Sequence, residues 1–340
     1  MRKGRQTLIF ENPPSIIETA STVGKKEGEG PLSAEFDTVL DDDYYGEESW
    51  EKAESKLQKK TAERLMEKAG VKEQEVDFIL AGDLLNQCVG THYAVRDFDI
   101  PFLGLYGACS TMAESMMIAS MLISGGMASS AVCVTSSHFC SAEKQYRFPL
   151  EYGGQRTPTA QWTVTGSGAA LLKSSGEGPY ILGVTVGKVI DMGINDVSNM
   201  GAAMAPAAHN TISALFSETG TKPEDYDLIL TGDLGHIGSD ILLDMLDKDG
   251  YNMYPKHNDC GKMIFDAKKQ DVHAGGSGCG CCGSVFCGHV FKELKRGNIK
   301  RMIVAATGAL MNPTSLLQGE SIPAIAHALI ISGEKDNFLR

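Results

Sequence analysis

Two like α/β halves, stacked as alternating layers of helix and sheet, form the fold this sequence predicts, on three observations. Residues 68–84, KAGVKEQEVDFILAGDL, return at 218–234 as ETGTKPEDYDLILTGDL, with eight of the 17 positions identical. A single long self-match, in a chain a little over twice its offset in length, signals tandem copies of one unit rather than a solenoid. Each copy is followed by a second helix–strand pair, and strands alternating with helices of this length predict mainly parallel sheets with helices on their faces.

The elements follow in order. Residues 1–46 are rich in turn formers, with Pro13-Pro14 and then KKEGEGPL, and read as an extended arm with one short strand near 7–10. Apolar residues at Trp50, Ala53, Leu57, Ala62, Leu65 and Met66 have helical spacing, and Gly70 stands where a helix C-cap belongs. A strand over 76–81 completes the first copy. A turn at 106–110 opens a helix through Ile123, Gly125-Gly126 ends it, and a strand over 131–135 follows. The second copy predicts a helix over 204–218, Gly220 as its terminator and a strand over 226–231. The glycine-rich GGSGCGCC then leads into a helix over 284–295 and a strand over 301–306. The halves divide near GEGPY, into residues 1–178 and 179–340.

Composition narrows the function. A net charge of −12 disfavours nucleic acid and anionic bilayers as partners. No apolar run reaches the length of a spanning helix, and the N-terminal one is too short for a signal peptide, so the chain reads as soluble. Nine cysteines in such a chain read as reduced thiols. Cys279, Cys281, Cys282 and Cys287 lack paired metal-ligand spacing and read as small residues in a tight turn before a helix. The run Asp41-Asp42-Asp43 lacks the alternation of a calcium loop and reads as a solvated patch.

Cys109 is the sharpest chemical candidate. It sits in Gly107-Ala108-Cys109-Ser110-Thr111 at the predicted first turn of a helix, a position that lowers a thiol's pKa and leaves room above the sulfur. Asp83 and Asp233 follow equivalent strands, which predicts one shared structural job, capping the next turn. The stretch from His138 to Gln155 carries His138, Lys144, Tyr146, Arg147, Phe148 and Tyr152, and the second half adds Lys256 and His257 in YPKHNDCGK.

These residues also carry a resemblance. GACSTM on a strand-to-helix turn, TVTGSGAALL at 163–172 and AATGALMNP at 305–313 resemble the thiolase-like superfamily, and within it the ketoacyl-ACP synthase III condensing enzymes. That likeness implies a duplicated five-layer fold and a pocket between the halves floored by Cys109. In those enzymes a helix-capping cysteine carries the acyl group, while a histidine and an asparagine from the second half stabilise forming charge. Here Gly232 and Asp233 follow the second-half strand, with His236 a few positions on, and His273–Gly278 holds no asparagine. An ionised aspartate cannot donate to an oxyanion.

FENPP, KEGEGPLSAEFD, ILAGDLLNQ, SSHFCSAEKQYRFPLEYGGQ, VGKVIDMGINDVSNMGAAMAPAA, HAGGSGCGC and FKELKRGNIKRMIVAATGALMNP, with the segments above, are similar to the stage V sporulation protein AD family over almost the whole chain. That resemblance implies a homodimer without a cofactor that binds dipicolinic acid, with or without calcium. It also implies service, as a peripheral and non-catalytic part, to the membrane complex that loads the developing spore, at the forespore or spore inner membrane. A small planar dianion needs a few donors or cations and an apolar slot. The expected ligand-binding residues are therefore Cys109, His138, Lys144, Arg147, Asp233 and His257. The alternative is a Cys109-dependent acyltransferase with His236 or His257 as substitute donors.

Overall fold

The computed structural model describes residues 1–146, 155–335 and 338–339. The main strands of the first half are β1 (Ser15–Val23), β2 (Phe78–Gly82), β3 (Phe102–Gly104), β4 (Ser130–Ser137) and β5 (Gly166–Lys173). Those of the second are β6 (Tyr180–Thr185), β7 (Leu228–Thr231), β8 (His257–Asp259), β9 (Arg301–Ala309) and β10 (Ala324–Ser332). Their spatial orders are β3-β2-β4-β5-β1 and β8-β7-β9-β10-β6, the same permutation twice. Directions repeat as well. In the first half β2 is parallel to β3 and β4, while β5 is antiparallel to β4 and β1. In the second, β7 is parallel to β8 and β9, while β10 is antiparallel to β9 and β6. The halves join edge to edge where β1 meets β6 at Ser15 and Tyr180.

The helices show why the duplication is visible. α1 (Trp50–Ala69) starts on Ser49, whose side chain accepts from the Lys52 N–H, and ends on Gly70 at φ 64°. Its counterpart α4 (Met200–Thr219) starts on Asn199, which accepts from the Ala202 N–H, and ends on Gly220 at φ 72°. A polar N-cap and a left-handed glycine close each helix, so the two glycines are kept for the same backbone reason. α1 covers β1, β4 and β5 from outside, and α4 covers β9 and β10. Between them α2 (Thr111–Ser124) touches β2, β4 and β5 of one half and β9 and β10 of the other, which completes the five layers.

Three expectations need correction. The sheets are not mainly parallel: after β4 and after β9 the chain turns back at the same end of the sheet, so each half mixes both directions. Residues 1–46 are not an arm, because β1 is a nine-residue strand buried between β5 and β6. Its signal was the β-branched run Ile16, Ile17, Thr19, Thr22 and Val23. The cysteine run is not a tight turn before a helix: Cys279–Val285 is itself a helix, α6, Cys287 lies in the helical turn after it, and α6 packs on Gly166–Gly168 of β5. A Cβ on Gly168 would lie 2.1 Å from the Gly283 carbonyl oxygen, so here glycine lets a helix rest on a strand. Beyond α6, helix continues through a π turn (Phe286–Val290) to Lys295. Among the described residues no helix is long and apolar enough to cross a membrane.

Candidate functional site

The turn between β3 and α2 is built to hold a small side chain under tension. Ala108 takes φ 48°, a left-handed conformation that costs a non-glycine residue roughly 1–3 kcal/mol. Surrounding bonds fix it: Ser110 Oγ donates to the Gly107 carbonyl at 2.7 Å, and Thr111 Oγ1 donates to the Ala108 carbonyl at 2.7 Å. β9 presses from behind, where a Cβ on Gly308 would come within 2.2 Å of the Gly107 carbonyl oxygen. Cys109 therefore projects at a set angle and is only 5% exposed.

The group facing its sulfur is Asp233, from the turn after β7. The Asp233 carboxyl is close enough to the Cys109 thiol for each to shift the other's ionisation. That carboxyl accepts from the Gly278 N–H at 2.8 Å and from Thr307 Oγ1 at 2.8 Å. Burial raises the Asp233 pKa to about 7 against these donors. Burial, and then the Asp233 charge, push the Cys109 thiol well above its usual range. The helix start does not activate this sulfur, contrary to the sequence expectation, because desolvation and a facing anion outweigh a weak dipole.

The shared capping role holds for one aspartate only. Asp83 accepts from the Leu85 N–H at 2.7 Å and the Thr91 N–H at 2.6 Å. In the second half that work falls to Asp259, which accepts from the Leu234 and Gly235 N–H groups, each at 2.9 Å. Asp233 is thereby released to face Cys109.

A small cavity of about 30 Å³ adjoins the sulfur. Leu84, Ala142, Met200 and Met311 give it apolar walls, with Tyr106, Tyr146, Thr163, Ser277 and Glu143 as polar ones. This volume admits about two waters. Tyr146, on α3 (Phe139–Tyr146), closes one side by donating its hydroxyl to the Leu84 carbonyl, and it lies 3.2 Å from the Tyr106 hydroxyl. Glu143, one turn earlier on the same helix, is 3% exposed and accepts from Thr163 Oγ1 at 3.1 Å. The guanidinium of Arg156 stands 3.7 Å from it.

Of the five expected residues that lie among those described, the structure brings together two, Cys109 and Asp233. His138 is buried away from the cavity: its Nε2 lies 2.7 Å from the Asp43 carbonyl oxygen, and its Nδ1 accepts from the Cys140 N–H at 3.2 Å. Burial lowers its pKa and keeps it neutral. Lys144 pairs with Glu51 at 2.8 Å on the surface. His257 lies on β8, its Nε2 3.0 Å from Thr231 Oγ1, and burial followed by the nearby Lys262 lowers its pKa to about 4. His236 sits at the start of α5 (Gly235–Lys248), partly buried, and is not among the cavity walls. Arg147, with Phe148 and Tyr152, falls outside the described residues. Sequence reasoning missed Glu143 and Arg156. Their only signal was position, since Glu143 stands three residues before Tyr146 and shares its helix face.

Comparison with known proteins gives the family and the fold. The model of the stage V sporulation protein AD family (SpoVAD) matches residues 4–332. The stage V sporulation protein AD of Bacillus subtilis (strain 168) is 46% identical over 327 residues, 96% of each chain. Among solved structures, 3-oxoacyl-[acyl-carrier-protein] synthase III from Aquifex aeolicus VF5 superposes with a TM-score of 0.52 at 13% identity, covering 94% of this chain and 99% of that one. An acetyl-CoA acetyltransferase from Syntrophomonas wolfei does so with a TM-score of 0.60 at 11% identity, covering 96% and 100%. A variant of OleA from Xanthomonas campestris gives 0.58 at 12%, covering 95% and 100%. The fold is thiolase-like, and likeness at such identities carries the fold alone.

Proposed function

The chain belongs to the stage V sporulation protein AD family, and on that footing we propose that it binds dipicolinic acid, alone or as its calcium chelate, without catalysing a reaction. It serves as a peripheral component of the membrane assembly that moves the ligand into the developing spore, and it acts as a homodimer. The observation that carries the non-catalytic part is the contact between Cys109 and Asp233. Condensing chemistry needs a thiolate and donors for an oxyanion. Here burial, and then the carboxyl of Asp233 facing the sulfur, push the thiol well above its usual range and keep it protonated. What remains is a compact cup whose apolar walls and hydroxyls match a ring and its carboxylate oxygens in chemistry, and which must widen from its closed volume of about 30 Å³ to admit them.

Calorimetric titration with dipicolinate, against pyridine-2-carboxylate as control, tests the reading. Saturable binding that weakens with the one-carboxylate control is the expected result, and absence of saturable heat would overturn it. The acyltransferase alternative keeps one observation in its favour, the strained turn that presents Cys109. It predicts a mass increase on incubation with an acyl-CoA that Cys109→Ala abolishes.

A further inference from the structure

The walls of the Cys109 cavity hold no basic residue among those described, yet they include a carboxylate, Glu143, with Asp233 behind the sulfur. A dicarboxylate entering such a site meets like charge unless a cation is at hand. Among the described residues one ion pair ties a basic side chain to a cavity wall: Arg156 to Glu143 at 3.7 Å. Arg156 is itself mostly buried, and its guanidinium lies over Trp162 at 5.1 Å and Phe139 at 5.9 Å. Those two rings stack on each other at 3.9 Å, and Lys26 also lies 3.9 Å from the Trp162 centroid. An arginine braced on an aromatic stack, with a carboxylate across from it, is a preorganised carboxylate receptor.

Resting on the dipicolinate reading above, we propose that Arg156 receives one carboxylate of the ligand, and that Glu143 is a built-in carboxylate that the ligand must displace. The exchange links binding to space. Glu143 is a wall of a cavity far too small for a pyridine ring, so its departure from Arg156 both opens that side of the guanidinium to the ligand and widens the site. A carboxylate faces Arg156 with or without the ligand, so the exchange replaces one charge partner by another. The internal competitor also lowers affinity, which suits a protein that must pass its ligand on.

The test is titration of the full chain and two variants with dipicolinate. Arg156→Gln is expected to weaken binding about 10- to 100-fold, the range for a charge-assisted contact. Glu143→Gln is expected to tighten it roughly three- to tenfold, since it removes the competitor and the repulsion. A residue with a merely structural role would not produce opposite signs. Saturable wild-type binding with Arg156→Gln unchanged, or with Glu143→Gln unchanged or weaker, overturns this assignment and leaves the dipicolinate reading standing. Where Arg156→Gln fails to fold, the sign of the Glu143→Gln effect decides. No saturable binding by the wild type overturns the dipicolinate reading itself, and this assignment with it.

Discussion

The carboxyl of Asp233 faces the thiol of Cys109, and burial raises its pKa to about 7. A cysteine in a strained strand-to-helix turn is usually taken for a nucleophile, and its reactivity is set by what faces it. Here that group is a buried carboxyl that ionises near neutral pH, and its charge opposes formation of the thiolate. Peptide-level mass spectrometry should show Cys109 alkylated slowly at neutral pH. Asp233→Asn should speed the reaction at least about tenfold, the change for one pKa unit of thiolate population. An unchanged rate in that variant would mean that burial alone silences the sulfur.

A second buried carboxylate makes stability depend on pH. Glu54 on α1 accepts from Ser141 Oγ at 2.6 Å and Ser136 Oγ at 3.3 Å, and burial, then the Asp83 charge, raise its pKa to about 8. A pKa raised on folding adds stability below the unfolded value and loses it as pH rises through the folded one. The melting temperature should therefore fall between about pH 4 and pH 8. Glu54→Gln should flatten that slope and stabilise the protein at pH 8, by on the order of a few kcal/mol. A slope as steep as the wild type's in melts across this range would contradict the assignment.

The contact between α6 and β5 tolerates no side chain. Gly168→Ala would drive a methyl group into the Gly283 backbone, and an overpacking cost of about 3 kcal/mol is expected in denaturant unfolding. A loss below about 0.5 kcal/mol would mean that the two elements can move apart freely.

β3 ends the first half-sheet, and Leu103 on it and Tyr93 beside it are exposed. An open apolar edge of this kind pairs readily with another chain. Sedimentation velocity at micromolar concentration should show a dimer that Leu103→Glu converts to monomer. A wild-type monomer, or a dimer indifferent to that change, would exclude this edge as the contact.

The parts legible in the sequence were those set by local rules. Gly70 and Gly220 mark helix ends because the backbone there must be left-handed, and the Cys109 turn shows in its run of small residues. β1 was hidden because Pro13-Pro14 and KKEGEGPL on either side of it spell loop. α6 was hidden because glycines kept for close packing look the same as glycines kept for turns. At the site, Asp233 was legible by its place in the repeat. The pairing of Glu143 with Arg156 was not, because it depends on how the segments on either side of the undescribed stretch fold back on each other. Nor could the sequence reveal that both ring nitrogens of His138 are engaged by backbone groups.

The central claim is that the ligand occupies the cavity beside Cys109, and the most direct measurement is protection of that sulfur. Cys109 would be alkylated at alkaline pH with and without saturating dipicolinate, and its peptide followed by mass spectrometry, with Cys140 as an internal reference. The account predicts that dipicolinate slows modification of Cys109 and leaves Cys140 unchanged. Saturable dipicolinate binding with an unaltered Cys109 rate would place the ligand elsewhere and contradict it.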